Sequence, residues 1–119
     1  MDPRQKNFRL DRSALKELIT PMGGCYASDR ILVDGEKVGY MFRESPTESA
    51  ASGWTFMAGD EDQDYADDPD HWAIYEVKTV CNYDPSIIPY LDSEVGSAFG
   101  RDAGADDFQR EPMPSEPPE

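Results

Sequence analysis

Asp60, Glu61, Asp62, Asp64, Asp67, Asp68 and Asp70 place seven carboxylates and no base within eleven consecutive positions of this 119-residue chain. Three chemistries can be drawn from such a run: coordination of a hard cation, acid–base catalysis, and electrostatic capture of a basic partner. Each makes its own demand on spacing. Asp60, Asp62 and Asp64 supply the alternating oxygens that open a calcium-binding loop. The sixth position, however, is Tyr65, where the sharp turn needs glycine, and the twelfth is His71, where a bidentate glutamate closes the site. No metal site is assigned, and a calcium- or magnesium-binding domain of unknown cellular role is retained as the alternative function. Catalysis requires two carboxylates in different environments, or a nucleophile beside a base. The single histidine, His71, could serve Cys25 or Cys81 only by a meeting in space, and neither cysteine lies in a nucleophile motif. No catalytic residue and no cofactor are assigned, and the expectation is a non-enzymatic protein. Gly23-Gly24 reads as a turn rather than a phosphate cradle.

Electrostatic capture fits the composition better. Residues 1–59 carry eight acids and eight bases, whereas residues 60–119 carry seventeen acids and three bases, so the whole net charge of -14 lies in the second half. Such a field repels nucleic acid and anionic membranes and accelerates encounter with a basic protein. Tyr65 interrupts the acidic run and Trp72 follows it; buried aromatics supply interface energy while acids around them supply orientation and on-rate. The predicted partner-binding residues are Asp60, Glu61, Asp62, Asp64, Tyr65, Asp67, Asp68, Asp70 and Trp72. The plain alternatives are that the acids form a solvated surface and that Tyr65 folds back on its own domain.

The elements that must hold this segment follow from periodicity. Leu10, Ala14, Leu15, Leu18 and Ile19 recur at helical spacing, with Asp11 or Ser13 as cap and Pro21 and Gly23-Gly24 as terminators. Asp34-Gly35 between two apolar, β-favouring runs predicts an antiparallel hairpin. Residues 44–53 form a loop, Trp54–Ala58 a third strand, and Trp72–Val80 a fourth, largely buried one. Asp84-Pro85 has the chemistry of a short second helix, and residues 95–101 of a last strand or extended segment. The fold class is therefore α+β: a small, mostly antiparallel sheet with an N-terminal helix and a short second helix. Residues 1–23 make up an N-terminal helical segment and 24–104 the α+β domain. Residues 105–119 are read as a disordered, acidic, Pro-rich tail. Cys25 and Cys81 are read as two buried thiols, and the charged N-terminus without an apolar run behind it as that of a soluble, cytoplasmic protein.

Several words in this chain also recur, in order, elsewhere: Cys25-Tyr-Ala-Ser-Asp-Arg-Ile, Asp34-Gly-Glu-Lys-Val-Gly-Tyr-Met-Phe-Arg-Glu, Ser52-Gly-Trp-Thr-Phe-Met-Ala-Gly-Asp-Glu-Asp, Tyr65 with Asp68-Pro-Asp, Thr79 with Asn82-Tyr-Asp-Pro, and Gly96-Ser-Ala-Phe. Over residues 24–101 the chain resembles the immunity protein thirty-three family. The resemblance implies a small α+β protein of the bacterial cytoplasm that protects against a polymorphic toxin, and it brings no catalytic residues. The leading expectation is an immunity function: the acidic segment occludes a basic face of a toxin. Within the matching words, Gly53-Trp54, Gly59-Asp60-Glu61 and Tyr65 read as structural signatures as readily as binding ones; in the structural reading Gly59 supplies a turn at positive φ and Trp54 a central core residue.

Overall fold

The computed structural model describes residues 16, 18–19, 22–45, 51–59, 61, 63–68, 71–102 and 107–111. A six-stranded sheet runs in the order β4-β1-β3-β2-β5-β6. Its strands are β1 (Gly24–Ser28), β2 (Tyr40–Arg43), β3 (Ala51–Met57), β4 (Trp72–Glu76), β5 (Ala98–Gly100) and β6 (Gln109–Arg110). Four of the five pairings are antiparallel; β1 and β3 run parallel.

The expected hairpin across Asp34-Gly35 does not form. After β1 the chain turns into α1 (Asp29–Leu32), started by the Ser28 hydroxyl, which accepts the Arg30 N–H at 3.1 Å. Gly35, at φ 79°, ends it, with the Glu36 N–H bonded to the Arg30 carbonyl at 2.9 Å. Asp-Gly is as good a helix terminator as a hairpin turn. The apolar pair Ile31 and Leu32 decides between the two by burying completely under the sheet. β1 is thereby free to pair with β3 and β4 instead of β2.

The predicted strand from Trp72 to Val80 is likewise divided. β4 stops at Glu76, and Val77–Tyr83 form α3, whose Val77, Val80 and Cys81 are buried at helical spacing. Here packing overrides the strand preference of Val77, Thr79 and Val80. Asp84 then caps the expected short helix, a 3-10 turn over Pro85–Tyr90, by accepting the Ser86 N–H at 3.1 Å. α1, α3 and this turn cover one face of the sheet only, so β4 is half-covered rather than largely buried, and Ile74 is 69% exposed.

The core between them contains Trp54, as expected, stacked on Phe56 with centroids 5.7 Å apart, and Met41, Ile31, Val80 and Ile87. Burying side chains of this size contributes about 1.5–3 kcal/mol each relative to leaving them in water. The Trp54 indole N–H donates to the Leu91 carbonyl at 3.2 Å, so its one polar atom is not orphaned. Cys25 and Cys81 are free, buried thiols.

The predicted N-terminal helix over residues 10–19 lies mostly outside the described residues; Lys16, Leu18 and Ile19 are not helical. The Lys16 peptide instead brackets Asn82 on α3, whose side chain accepts the Lys16 N–H at 2.8 Å and donates to its carbonyl at 2.7 Å. Of the stretch read as a tail, residues 107–111 are described. Phe108 is buried against Tyr90 and under the Arg101 guanidinium, and β6 extends the sheet beside β5. Residues 112–119 lie outside the described residues.

Candidate functional site

The acidic segment is built from the end of β3 outward. Gly59 adopts φ 98°, as its position in the turn predicts, and the Glu61 carboxylate clamps the same turn by accepting the N–H groups of Ala58 and Gly59, each at 2.8 Å. Glu61 is thus committed to holding the chain. Next comes α2 (Gln63–Asp67), which exposes Asp64 and Asp67. Asp64 lies in its first turn, where a negative charge suits the helix N-terminus. No base lies in its last turn, where Asp67 and the adjoining Asp68 meet the negative end of the backbone dipole. Helix stability alone would not choose that arrangement.

Tyr65 folds back. Its ring stacks on His71 at 3.9 Å and an interplanar angle of 13°, and its hydroxyl hydrogen-bonds the side chain of Ser28 at the end of β1. Burial raises its pKa, opposed by the Ser28 hydrogen bond and reinforced by the nearby carboxylates of Asp29, Asp34 and Glu61. His71 Nδ1 lies 2.8 Å from the Tyr65 carbonyl, a contact in which the ring nitrogen must donate, and Nε2 lies 3.8 Å from the Asp68 carboxylate. Tyr65, His71 and Ser28 therefore pin α2 to the end of the sheet where β1 finishes and β4 begins. Of the nine predicted partner-binding residues, Asp60, Asp62 and Asp70 lie outside the described residues. The structure gathers Glu61, Asp64, Tyr65, Asp67, Asp68 and Trp72 at this one end.

Trp72 also belongs to a surface that the sequence reading did not identify. On the face of the sheet opposite the helices, Ile74 pairs with Tyr26, Tyr26 with Thr55 and Thr55 with Phe42, one continuous cross-strand row that ends at the buried Ala98. Beside it, Trp72 pairs with Ser28 and Met57 with Tyr40. Tyr26 is 54% exposed, and Tyr26, Phe42, Thr55, Met57 and Trp72 line a shallow groove of about 300 Å³. The alternation of Cys25, Tyr26 and Ala27, with both neighbours of Tyr26 buried, was the available signal.

Two further groupings are structural. Asp84 accepts the Val38 N–H at 3.0 Å and pairs with Arg101 at 2.5 Å through Oδ2, while Oδ1 accepts from the Ser86 backbone and hydroxyl. This network accounts for Asp84 in the word Asn82-Tyr-Asp-Pro, and the bonds to the Lys16 peptide for Asn82. The thiols of Cys25 and Cys81 are both pushed up in pKa, chiefly by burial, Cys81 to about 11, which leaves little thiolate near neutrality. Among the described residues no group of three or more His, Cys, Asp or Glu side chains could hold a metal ion, and no helix is long and apolar enough to cross a membrane.

No curated protein and no solved structure matches this chain. The family model of the immunity protein Imm33 domain does match, over residues 25–111, from the second residue of β1 through β6. That span takes in the sheet but for Gly24, the register shift of β3 against β1 around Ser52-Gly53-Trp54, the Asp84–Arg101 network and α2. The chain belongs to the Imm33 immunity protein family.

Proposed function

We propose that this chain is a non-enzymatic immunity protein of the bacterial cytoplasm, which neutralises a toxin by binding a basic face of it through the acidic segment 60–70. Family membership supports a toxin as the partner. The observation that carries the mechanism is the exposure of Asp64 and Asp67 on a helix fixed to the sheet by the Tyr65–His71 stack. A surface that is already ordered loses less entropy on association than a loop that must fold against its partner. The excess of carboxylates speeds capture of a cationic protein and disfavours nucleic acid.

The test is protection. Basic toxin domains are expressed one at a time in a bacterial host, with and without this chain, and rescue of growth identifies the partner. Replacing Asp60, Asp62, Asp64, Asp67 and Asp68 together by Asn should abolish rescue, and it should flatten the salt dependence of binding to the purified toxin. Rescue and salt dependence that survive this replacement would refute capture by the acidic segment.

A further inference from the structure

We propose that the open face of the sheet, centred on the groove between Tyr26, Phe42, Thr55, Met57 and Trp72, is the docking surface for the toxin, and that it receives an apolar side chain flanked by basic residues. This rests on the immunity reading and assigns its energetic centre. α2 supplies the charged rim, and the sheet supplies the desolvated contact.

Three observations converge on the surface. First, one face of the sheet is sealed by α1, α3 and the 3-10 turn, while on the other Ile74 and Tyr26 stand side by side at 69% and 54% exposure. Isolated exposed hydrophobes are ordinary. A register-aligned row of Ile74, Tyr26, Thr55 and Phe42, continuous with a groove bordered by Met57 and Trp72, is a contiguous apolar patch of the kind that marks an interaction site. Second, its residues are the types that dominate binding energy at protein interfaces: tyrosine, tryptophan, phenylalanine and methionine. They project from strands, so little side-chain and backbone freedom is lost on docking.

Third, charge identifies the occupant. Trp72 follows His71 directly, and Met57 precedes the turn clamped by Glu61, so the end of the groove formed by Trp72 and Met57 adjoins α2 with exposed Asp64 and Asp67. A ligand filling the groove therefore meets carboxylates at that end, and lysine or arginine beside its apolar anchor is the complementary choice. A second copy of this chain is the wrong occupant: face-to-face association would bring together two molecules of net charge -14, each with acids at the groove's rim.

The experiment uses the full chain and defined probes: a synthetic peptide of alternating lysine and leucine, its glutamate and leucine counterpart, and polylysine. Trp72 lies at the groove and Trp54 is buried, so quenching or a shift in tryptophan emission reports occupancy. The lysine–leucine peptide should bind saturably. Binding should weaken about tenfold or more in Tyr26→Ser and Ile74→Lys, the loss of roughly one hot-spot contact. Both positions are exposed, and far-ultraviolet circular dichroism confirms that the variants fold.

No binding of the lysine–leucine peptide overturns the proposal. Equal binding of polylysine, undiminished by Ile74→Lys, reduces the site to charge alone and also overturns it. Equal binding of the glutamate peptide overturns the choice of a basic partner, and a dimer in sedimentation that Ile74→Lys dissolves overturns the choice of a foreign one. Growth protection separates this proposal from the reading beneath it. Rescue retained in Ile74→Lys but lost with the Asn replacements would remove the docking face and leave the immunity function standing, whereas no rescue by the wild-type chain would remove the immunity function itself.

Discussion

The guanidinium of Arg101 meets the carboxylate of Asp84 at 2.5 Å, with side chains only 9% and 4% exposed. Both members of the pair make further hydrogen bonds: Arg101 Nε to the Val38 carbonyl at 2.9 Å, Nη1 to the Ser86 hydroxyl at 2.9 Å, and the Val38 N–H to Asp84 at 3.0 Å. The pair ties the strand-to-loop junction after β5 to the start of the 3-10 turn and to the segment ahead of β2, three places far apart in sequence. Phe108 closes over it, its ring 4.2 Å from the guanidinium carbon.

Removing either partner leaves a buried charge without compensation, which costs about 3–5 kcal/mol. Asp84→Ala and Arg101→Met should each lower stability by that amount in urea titrations. The double variant should lose much less than the sum of the two, because neither charge is then stranded. Additivity of the two losses would mean that the pair does not act as a unit.

Gly53 and Gly96 separate two reasons for a glycine. Both have positive φ, 88° and 92°. A Cβ on Gly53 would stand 2.0 Å from the Glu44 carbonyl oxygen, inside the bulge where β3 shifts register against β1, whereas a Cβ on Gly96 meets nothing within 4 Å. Gly96→Ala should cost roughly 1–2 kcal/mol, the strain of a left-handed residue. Gly53→Ala adds a clash with backbone that cannot retreat without breaking the Glu44 N–H bond to the Gly53 carbonyl, so it should yield little soluble protein at the temperature at which Gly96→Ala folds normally.

These words in the sequence were visible before their causes were. Trp54 as core, Gly59 as a turn, Asp84 as a cap and the α+β class follow from local chemistry, because each depends on residues within a few positions. The division of the Trp72–Val80 run into β4 and α3, and the diversion of Asp34-Gly35 from hairpin to helix terminator, depend on what packs against them. Val77, Thr79 and Val80 favour strands in isolation. The choice was made by the core into which Val77, Val80 and Cys81 of α3 pack, which no window of sequence contains. The acidic segment was legible as charge, but the open face was not: Tyr26, Thr55, Phe42 and Ile74 come from four separate strands, and only the sheet order aligns them.

The thiols make a prediction about alkali. The Cys81 pKa is raised from 9.0 to about 11, and Cys25 is raised further, in both cases mainly by burial. In the unfolded chain both ionise near their ordinary value, so above about pH 9 the unfolded state holds fewer protons than the folded one and stability falls as pH rises. Below that value both states are protonated and these groups contribute no slope. Melting temperature should be insensitive to the thiols up to pH 8.5 and decline between 9 and 11, with Cys81→Ala shallower over that window. At pH 8 a thiol reagent should label the native protein only as fast as it opens.

Salt should act on the chain and on its complex in opposite directions. With seventeen acids against three bases in residues 60–119, the folded chain repels itself, and compactness brings like charges closer than the unfolded ensemble does. Shortening the Debye length from about 30 Å at 0.01 M to about 3 Å at 1 M removes most of that repulsion, so the urea midpoint of the free chain should rise with sodium chloride. The same screening should slow association with a basic toxin, because steering depends on the unscreened field. Asp64→Asn with Asp67→Asn tests whether α2 carries a disproportionate share. Both residues are exposed, so stability should change by no more than about 0.5 kcal/mol per substitution, upward at low salt for Asp67→Asn, whose charge opposes the helix dipole, and less so for Asp64→Asn, whose charge suits it. The association rate, measured by stopped flow, should fall and lose part of its salt slope. If the rate is unmoved while stability rises, the carboxylates of α2 are solvated surface and not a capture device; if both move in these opposite senses, the protein gives up some of its own stability to the field that draws its partner in.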